Sequence, residues 1–322
     1  MRIFEKKGIF IKDENFAVLD ASAKHKAEYS IISHAHNDHV YINGCKNIFT
    51  TKETADLIKQ SGKQFNPKIV EFDKKYEVGD VEFEFSSAGH VLGSFQLIIN
   101  DDNRIVCTSD FKLEQSIIEK PAEIKQADVL ITESTFGLPH FSFPKREETY
   151  AEMESWIKRR LHENKLVILA GYQIGKAQEL TAFVNKHLGI SPLVYDSIYS
   201  TNKIYENHGI KLGNYIKLAH NLNDSQILIL PPHYVTASLL QALHFSSRKK
   251  IAAAKATGWS YHGPYDRIFP LSDHADFNQL MHYIEESKPK LVLTTHGYAK
   301  ELAHSIVHKF KIPAYPLAEL AV

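Results

Sequence analysis

The stretch SHAHNDHV, Ser33 to Val40, sets three histidines and an aspartate directly after the apolar run YSIIS. In an extended chain alternate side chains share a side, so His34 and His36 point the same way at a strand end. Asp38 and His39 fall where the chain turns into VYINGC, and a turn swings them toward a second position. Imidazole and carboxylate suit zinc and manganese alike, so one loop of this kind can serve two metal ions. Four structural polar residues in the same pattern would need a coincidence of metal-capable types that few histidine-rich sequences show.

Further donors stand in similar settings. His90 lies in SSAGHVLGS, flanked by small residues after VEFEFSS; Asp110 ends RIVCTSDF; His296 follows LVLTT and precedes a glycine. Each alone reads as a capped turn. Together they gain weight because every one follows a β-run, and strand ends are where sites collect. A carboxylate so placed, such as Asp110, can bridge two cations.

The elements that must position these residues divide the chain. The first third reads as short β-runs broken by turns, with one helix in TKETADLIKQSG. After Pro144 strands alternate with helices: KREETYAEMESWIKRRLHENK and IGKAQELTAFVNKHLG are helical, while LVILAGYQ, PLVYDS, SQILILPP and IAAAKATGW read as strands. That alternation predicts a parallel-sheet unit. From Ser272 a helix, a strand ending at His296 and a closing helix follow. The predicted architecture is α/β: one domain made from residues 1–144 and 257–322, with a smaller α/β domain, 145–256, inserted between them.

Composition narrows the function. With 43% hydrophobic residues in 322, the chain can bury a sizeable core. It has no run of eighteen apolar residues and opens on MRIFEKKGIFIKDENF, so a cytoplasmic protein without a membrane segment is expected. Cys45 and Cys107 are not closely spaced, which argues against a disulfide framework or a cysteine zinc ribbon. Net charge is zero, yet Gly137–Gly258 holds 15 basic against 9 acidic residues, leaving 23 against 29 elsewhere. A basic middle in an acidic frame suits a segment that handles an anion beside one that holds cations.

The ordered set SHAHNDHV, AGHVLGS, CTSDF, ESTFG, LSDHADF and TTHGY resembles the metallo-β-lactamase-fold nucleases of the β-CASP group. The likeness is closest to the ligase-associated DNA exonucleases, extends to the messenger-RNA 3′-end-processing nucleases, and reaches Artemis more distantly. It covers nearly the whole chain. It implies a metallo-β-lactamase αββα sandwich with an inserted β-CASP domain, holding two Zn2+ ions, with Mn2+ as the alternative. His34, His36 and His90 would bind one ion, Asp38, His39 and His296 the other, and Asp110 would bridge. Asp38 would thereby serve in catalysis as well. One departure is Ser109, where the family usually has glycine; a local adjustment is expected.

The same resemblance makes His274 the general acid that protonates the departing sugar oxygen, with Glu133 orienting it. Read without the resemblance, SDHADF serves equally well as a helix cap, with Ser272 or Asp273 capping. In the inserted segment a helix beginning near Lys176 offers a phosphate site, and YDSIYSTN adds hydroxyls. Lys176, Ser197 and Thr201 are therefore the expected substrate contacts, and Trp259, Tyr261 and Phe141 are candidates for stacking on bases.

The reading is a metal-dependent phosphodiesterase, a DNA exonuclease in end processing and repair. Its partners would be single-stranded DNA or DNA ends, and a DNA ligase or other repair protein. The alternative is RNA: His296 is shared with the RNA-cleaving branch, whereas STFGLPHFSFP and LSDHADF favour the ligase-associated one. A small-molecule metallo-hydrolase would not need the insertion, and a silent binding subunit would not keep all seven ligands.

Overall fold

The computed structural model describes the chain except residues 80, 219–221, 223–225, 261–262 and 321–322. It divides into two compact units. The first comprises Met1–Glu114, Lys120–Ser142 and His274–Val322; the second comprises Gln115–Glu119 and Phe143–Asp273.

The first unit contains two sheets. In one, the strands Ala17–Leu19, Tyr29–Ile31 and Asn47–Thr50 lie parallel and adjacent. In the other, Arg104–Cys107, Val129–Glu133 and Leu291–Thr295 do the same, with Glu133 opposite Thr295. Alternation along the strand Phe95–Asn100 shows how the layers form. Phe95, Leu97 and Ile99 join a core that also takes Ile11, Leu19, Ile31 and Phe49 from the first sheet. Ile98, pointing the other way, packs with Leu280, Ile284, Leu302 and Ile306 of the helices Phe277–Ser287 and Ala299–Phe310. The middle of the second sheet is thus buried on both faces, which is why Phe95–Asn100, Arg104–Cys107, Val129–Glu133 and Leu291–Thr295 read as nearly continuous apolar runs. The result is a layered αββα arrangement.

The second unit is a parallel six-stranded sheet with strand order Ile216–Lys217, Leu193–Val194, Ile227–Leu230, Leu166–Ala170, Ile251–Ala256, Arg267–Phe269. Its core has two parts. Val167 and Leu169 pack with Tyr150, Met153, Trp156 and Ile157 of the helix Arg146–His162, while Leu166 and Ile168 pack with Leu243 of the helix Ala237–Ser247. The unit runs past residue 256 to Asp273, because Arg267–Phe269 pairs in parallel with Ile251–Ala256. The expected strand PLVYDS is extended only over Leu193–Val194, and the hydroxyl-bearing residues after it lie in a helix, Asp196–Asn207. It buries Ile198, Thr201, Asn202 and Tyr205, the spacing of one helix face, although two of the four are polar. No helix among the described residues is long and apolar enough to cross a membrane.

Candidate metal centre

Parallel pairing decides where the polar residues go. Asp110 and His296 follow the strands Arg104–Cys107 and Leu291–Thr295, and Glu133 ends the strand between them. Asp20 and His34 likewise follow two neighbouring strands of the first sheet, Ala17–Leu19 and Tyr29–Ile31. His39 ends a short 3₁₀ turn, Asn37–His39. All of these residues belong to the first unit.

His34, His36 and His90 form a triangle of imidazoles with ring centres 4.8–4.9 Å apart. The donor atoms of these three and of Asp110 all lie within 4.8 Å of one another. Ser33 Oγ donates to Asp20 Oδ2 at 2.7 Å, so it accepts from His34 Nδ1 at 2.9 Å. That tautomer leaves the lone pair on Nε2, a buried atom without a hydrogen-bond partner. An orphaned buried nitrogen is costly unless something electropositive meets it. His90 Nε2 and His36 Nδ1 stand 3.1 Å apart. Two nitrogens on one tetrahedral zinc would stand roughly 3.3 Å apart. The donors therefore fit a divalent ion of zinc's size and softness.

Beside this group His39 is held by Asp20, Nδ1 to Oδ2 being 3.3 Å. Its Nε2 lies 3.5 Å from Asp110 Oδ2 and 3.8 Å from Asp38 Oδ2. The same Asp110 oxygen is 3.5 Å from His34 Nε2, so one carboxylate oxygen reaches both sets of imidazoles. His296 adds a ring 5.4 Å from that of His39, and its backbone is left-handed, φ +58°. Gly297 follows because a Cβ there would collide with the Ser134 carbonyl. Asp38 is exposed, and neither it nor His296 belongs to the compact donor groups found among the described residues.

The charges bear on one another. Burial works against ionising Asp110, yet His39, His274, His34 and His90 hold its carboxyl well below the usual range. Burial disfavours charge on His39 too, but Asp110 and Asp20 raise its pKa to about 10. His34 goes the other way, lowered by burial and by its neighbour His39.

Asp20 is the residue that sequence reasoning missed. It accepts from Ser33 N (2.8 Å), Ser33 Oγ (2.7 Å) and Ser109 Oγ (2.6 Å), which aims it at His39. The available signal was an aspartate closing the apolar run FAVL, the same strand-end setting as Asp110. Ser109 itself takes a left-handed φ of +50°, a conformation that suits glycine, and its hydroxyl is tied to Asp20. Ser109→Ala keeps the backbone strain and loses a bond to a charged acceptor, an expected cost of about 1.5–3 kcal/mol. Ser109→Gly loses the same bond but recovers about 1 kcal/mol of strain. Urea unfolding should therefore rank wild type above the glycine variant and that above the alanine variant; an alanine variant as stable as wild type would contradict the assignment.

Glu133 and His274 meet as a pair. Glu133 Oε1 accepts from Phe111 N at 2.8 Å, and Oε2 is 2.9 Å from His274 Nδ1. The His274 ring centre lies 4.6 Å from that of His90. The cap of the following helix is Asp276, which accepts from Gln279 N at 2.8 Å, so neither Ser272 nor Asp273 fills that role.

Two of the three expected phosphate contacts in the second unit, Lys176 and Thr201, are buried. Lys176 is 2% exposed, and its ammonium is shared between Glu179 (2.7 Å) and Asp273 (2.8 Å). Arg146 and Tyr150 also bond Glu179, and Arg146 bonds the Ser272 carbonyl, closing a buried polar network. The helix start is equally committed: Gly175 N donates to Gln178 Oε1 at 2.8 Å and Ala177 N to Tyr172 O at 2.9 Å. Thr201 is fully buried and donates back to the Ser197 carbonyl at 2.9 Å; Ser197 sits half-buried in that first turn. Phe141 is a core residue between Phe136 and Tyr298. Trp259 is partly exposed, and Tyr261 lies outside the described residues. Lys176→Met should cost about 3–5 kcal/mol by stranding buried carboxylates. Urea midpoints would register it; a fully stable variant with weakened phosphate binding would restore the binding role.

A layered αββα fold with clustered histidines and a shared aspartate at its strand ends defines a metallo-hydrolase of the metallo-β-lactamase fold. Residues 268–315, which include both His274 and His296, match the Zn-dependent metallo-hydrolase RNA specificity domain. The chain is 27% identical over 287 residues to a "Probable DNA ligase" of Opitutus terrae, covering 86% of this chain and 27% of that protein. It is 28% identical over 198 residues to an "RNase J-like protein" of Methanocaldococcus jannaschii, covering 54% of this chain and 47% of that one. It is 31% identical over 129 residues to "Endoribonuclease ysh1" of Aspergillus fumigatus, covering 39% and 15% respectively. The chain thus spans less than half the length of these relatives. Together with the layered fold, these similarities support a metallo-β-lactamase-fold protein of the β-CASP nuclease group.

Proposed function

We propose that the chain is a two-metal phosphodiesterase acting on nucleic acid, a DNA exonuclease that trims ends before joining. The observation that carries this reading is the Glu133–His274 pair beside the histidine cluster. Hydrolysis of an activated acyl bond has no need of a dedicated acid, whereas a departing sugar oxygen does.

His34, His36 and His90 would hold one ion, His39 with Asp38 and His296 the other, and Asp110 both. Bound there, the ions supply water of lowered pKa and neutralise charge on the phosphate oxygens. The chain's own residues do the rest. Ser33 fixes the tautomer of His34 through a side-chain hydrogen bond of 2.9 Å, and Asp20 stands 3.3 Å from His39 Nδ1 as its counter-charge. Glu133 holds His274 Nδ1, which leaves Nε2 to carry a proton to the leaving oxygen. The basic second unit is the part proposed to take the nucleic-acid strand, in the manner of a β-CASP domain.

DNA is favoured by the relative whose name is a DNA ligase, which matches most of this chain. A ligase is accordingly the partner class this reading suggests. RNA is the second reading, favoured by the RNA specificity domain match over the His274 and His296 region. The test is cleavage of end-labelled single-stranded DNA and RNA of one sequence, with zinc and then manganese. A ladder from one end of DNA supports the exonuclease. RNA-only cutting moves the protein to RNA processing, and no cutting of either overturns the nuclease reading.

A further inference from the structure

With Lys176 and Thr201 buried in the second unit, a different surface there has to receive a nucleic-acid strand. In an all-parallel sheet, ligands collect at the carboxyl ends of strands where successive connections leave in opposite directions. In this sheet that place is between Leu166–Ala170 and Ile251–Ala256, which pair with Ala170 opposite Lys255. From Ala170 the chain departs toward Leu193–Val194 on one side; from Ala256 it goes to Arg267–Phe269 on the other.

The loops that part there carry Tyr172, 49% exposed, and Trp259, 36% exposed. Gly171 lets the first loop press on the helix below, since a Cβ would meet Leu180 and Lys176 at 2.8 Å. The second loop is pinned by Trp259 N donating to Thr257 Oγ1 at 3.3 Å. Lys255, in the strand Ile251–Ala256, is only 5% exposed, and its ammonium lies 5.9 Å from the centre of the Tyr172 ring. Burial pushes the pKa of this lysine down, and an arriving phosphate would favour its charged form. Two exposed aromatic rings on the loops that leave neighbouring strands, with a lysine near the end of one of those strands, are the parts of a single-strand binding platform.

We infer that Tyr172, Trp259 and Lys255 form a stacking cradle for single-stranded nucleic acid, the rings taking bases and the lysine a backbone phosphate. This rests on the nuclease reading and adds to it a named binding surface. Stacking serves any base and either sugar, so the cradle grips a strand without choosing its sequence or separating DNA from RNA.

The test uses the full chain in chelator, where no cutting occurs, with fluorescent oligothymidylate and oligouridylate read by anisotropy across a salt series. Tyr172→Ala and Trp259→Ala should each weaken binding about tenfold for both oligomers. Tyr172→Phe and Trp259→Phe should restore it, which separates loss of a ring from loss of the fold. Lys255→Gln should lower the slope of log affinity against log salt by about 0.7. Alanine variants that bind within twofold of wild type, or an unchanged slope, would overturn the cradle. If wild type then still cuts, the nuclease reading stands; a wild type that neither binds nor cuts ends both.

Discussion

Asp110→Ala is expected to abolish cleavage while leaving the chain folded. Its Oδ2 lies 3.5 Å from His34 Nε2 and 3.5 Å from His39 Nε2, so its removal takes a donor from both sets of imidazoles at once. It also removes the negative charge set among four histidines, His39, His274, His34 and His90. In the metal-free protein those rings would meet without a counter-charge. Metal ions contribute several kcal/mol of transition-state stabilisation, so losing them costs on the order of 10³-fold or more in rate. Turnover measured beside metal content and circular dichroism separates the cases. An alanine variant that binds metal and cuts at the wild-type rate would remove Asp110 from the site.

His274→Ala is expected to slow turnover by roughly 10²–10⁴-fold with metal content unchanged. Glu133 holds the ring by Nδ1 at 2.9 Å and is itself fixed by the Phe111 amide at 2.8 Å, so the imidazole presents Nε2 from a rigid mount. A 4-nitrophenyl phosphodiester, whose leaving group departs without a proton, should lose far less activity in this variant than a nucleic acid does. The rival arrangement makes Glu133 and His274 ligands with Asp110, since their donor atoms also cluster within 4.8 Å. That arrangement predicts metal loss and equal damage to both substrates.

Much of the site could be read from the sequence because strand ends announce themselves. Strands run out just before His34, Asp110 and His296, whereas Glu133 entered through the family resemblance; the parallel register of adjacent strands brings Asp110, Glu133 and His296 to one end of a sheet. Asp20 escaped because a lone aspartate after an apolar run looks the same whether it caps a turn or orients a histidine. Its three donors come from Ser33 and Ser109, 13 and 89 residues away. Lys176 was misread for a related reason. A lysine opening a helix after glycine resembles a phosphate site, and its near partner Glu179 was visible, but Asp273 lies 97 positions on. Local pattern finds a residue's element; only the folded chain decides which charge it meets.

The measurement that bears most directly on the central claim is metal stoichiometry. Metal-stripped protein would be titrated with zinc, with bound metal counted by equilibrium dialysis and cleavage followed in parallel. The account predicts two equivalents per chain in wild type, cleavage rising as the second is taken up, and loss of both in Asp110→Ala. Full cleavage in metal-stripped protein, or one equivalent sufficing for full activity, would contradict it.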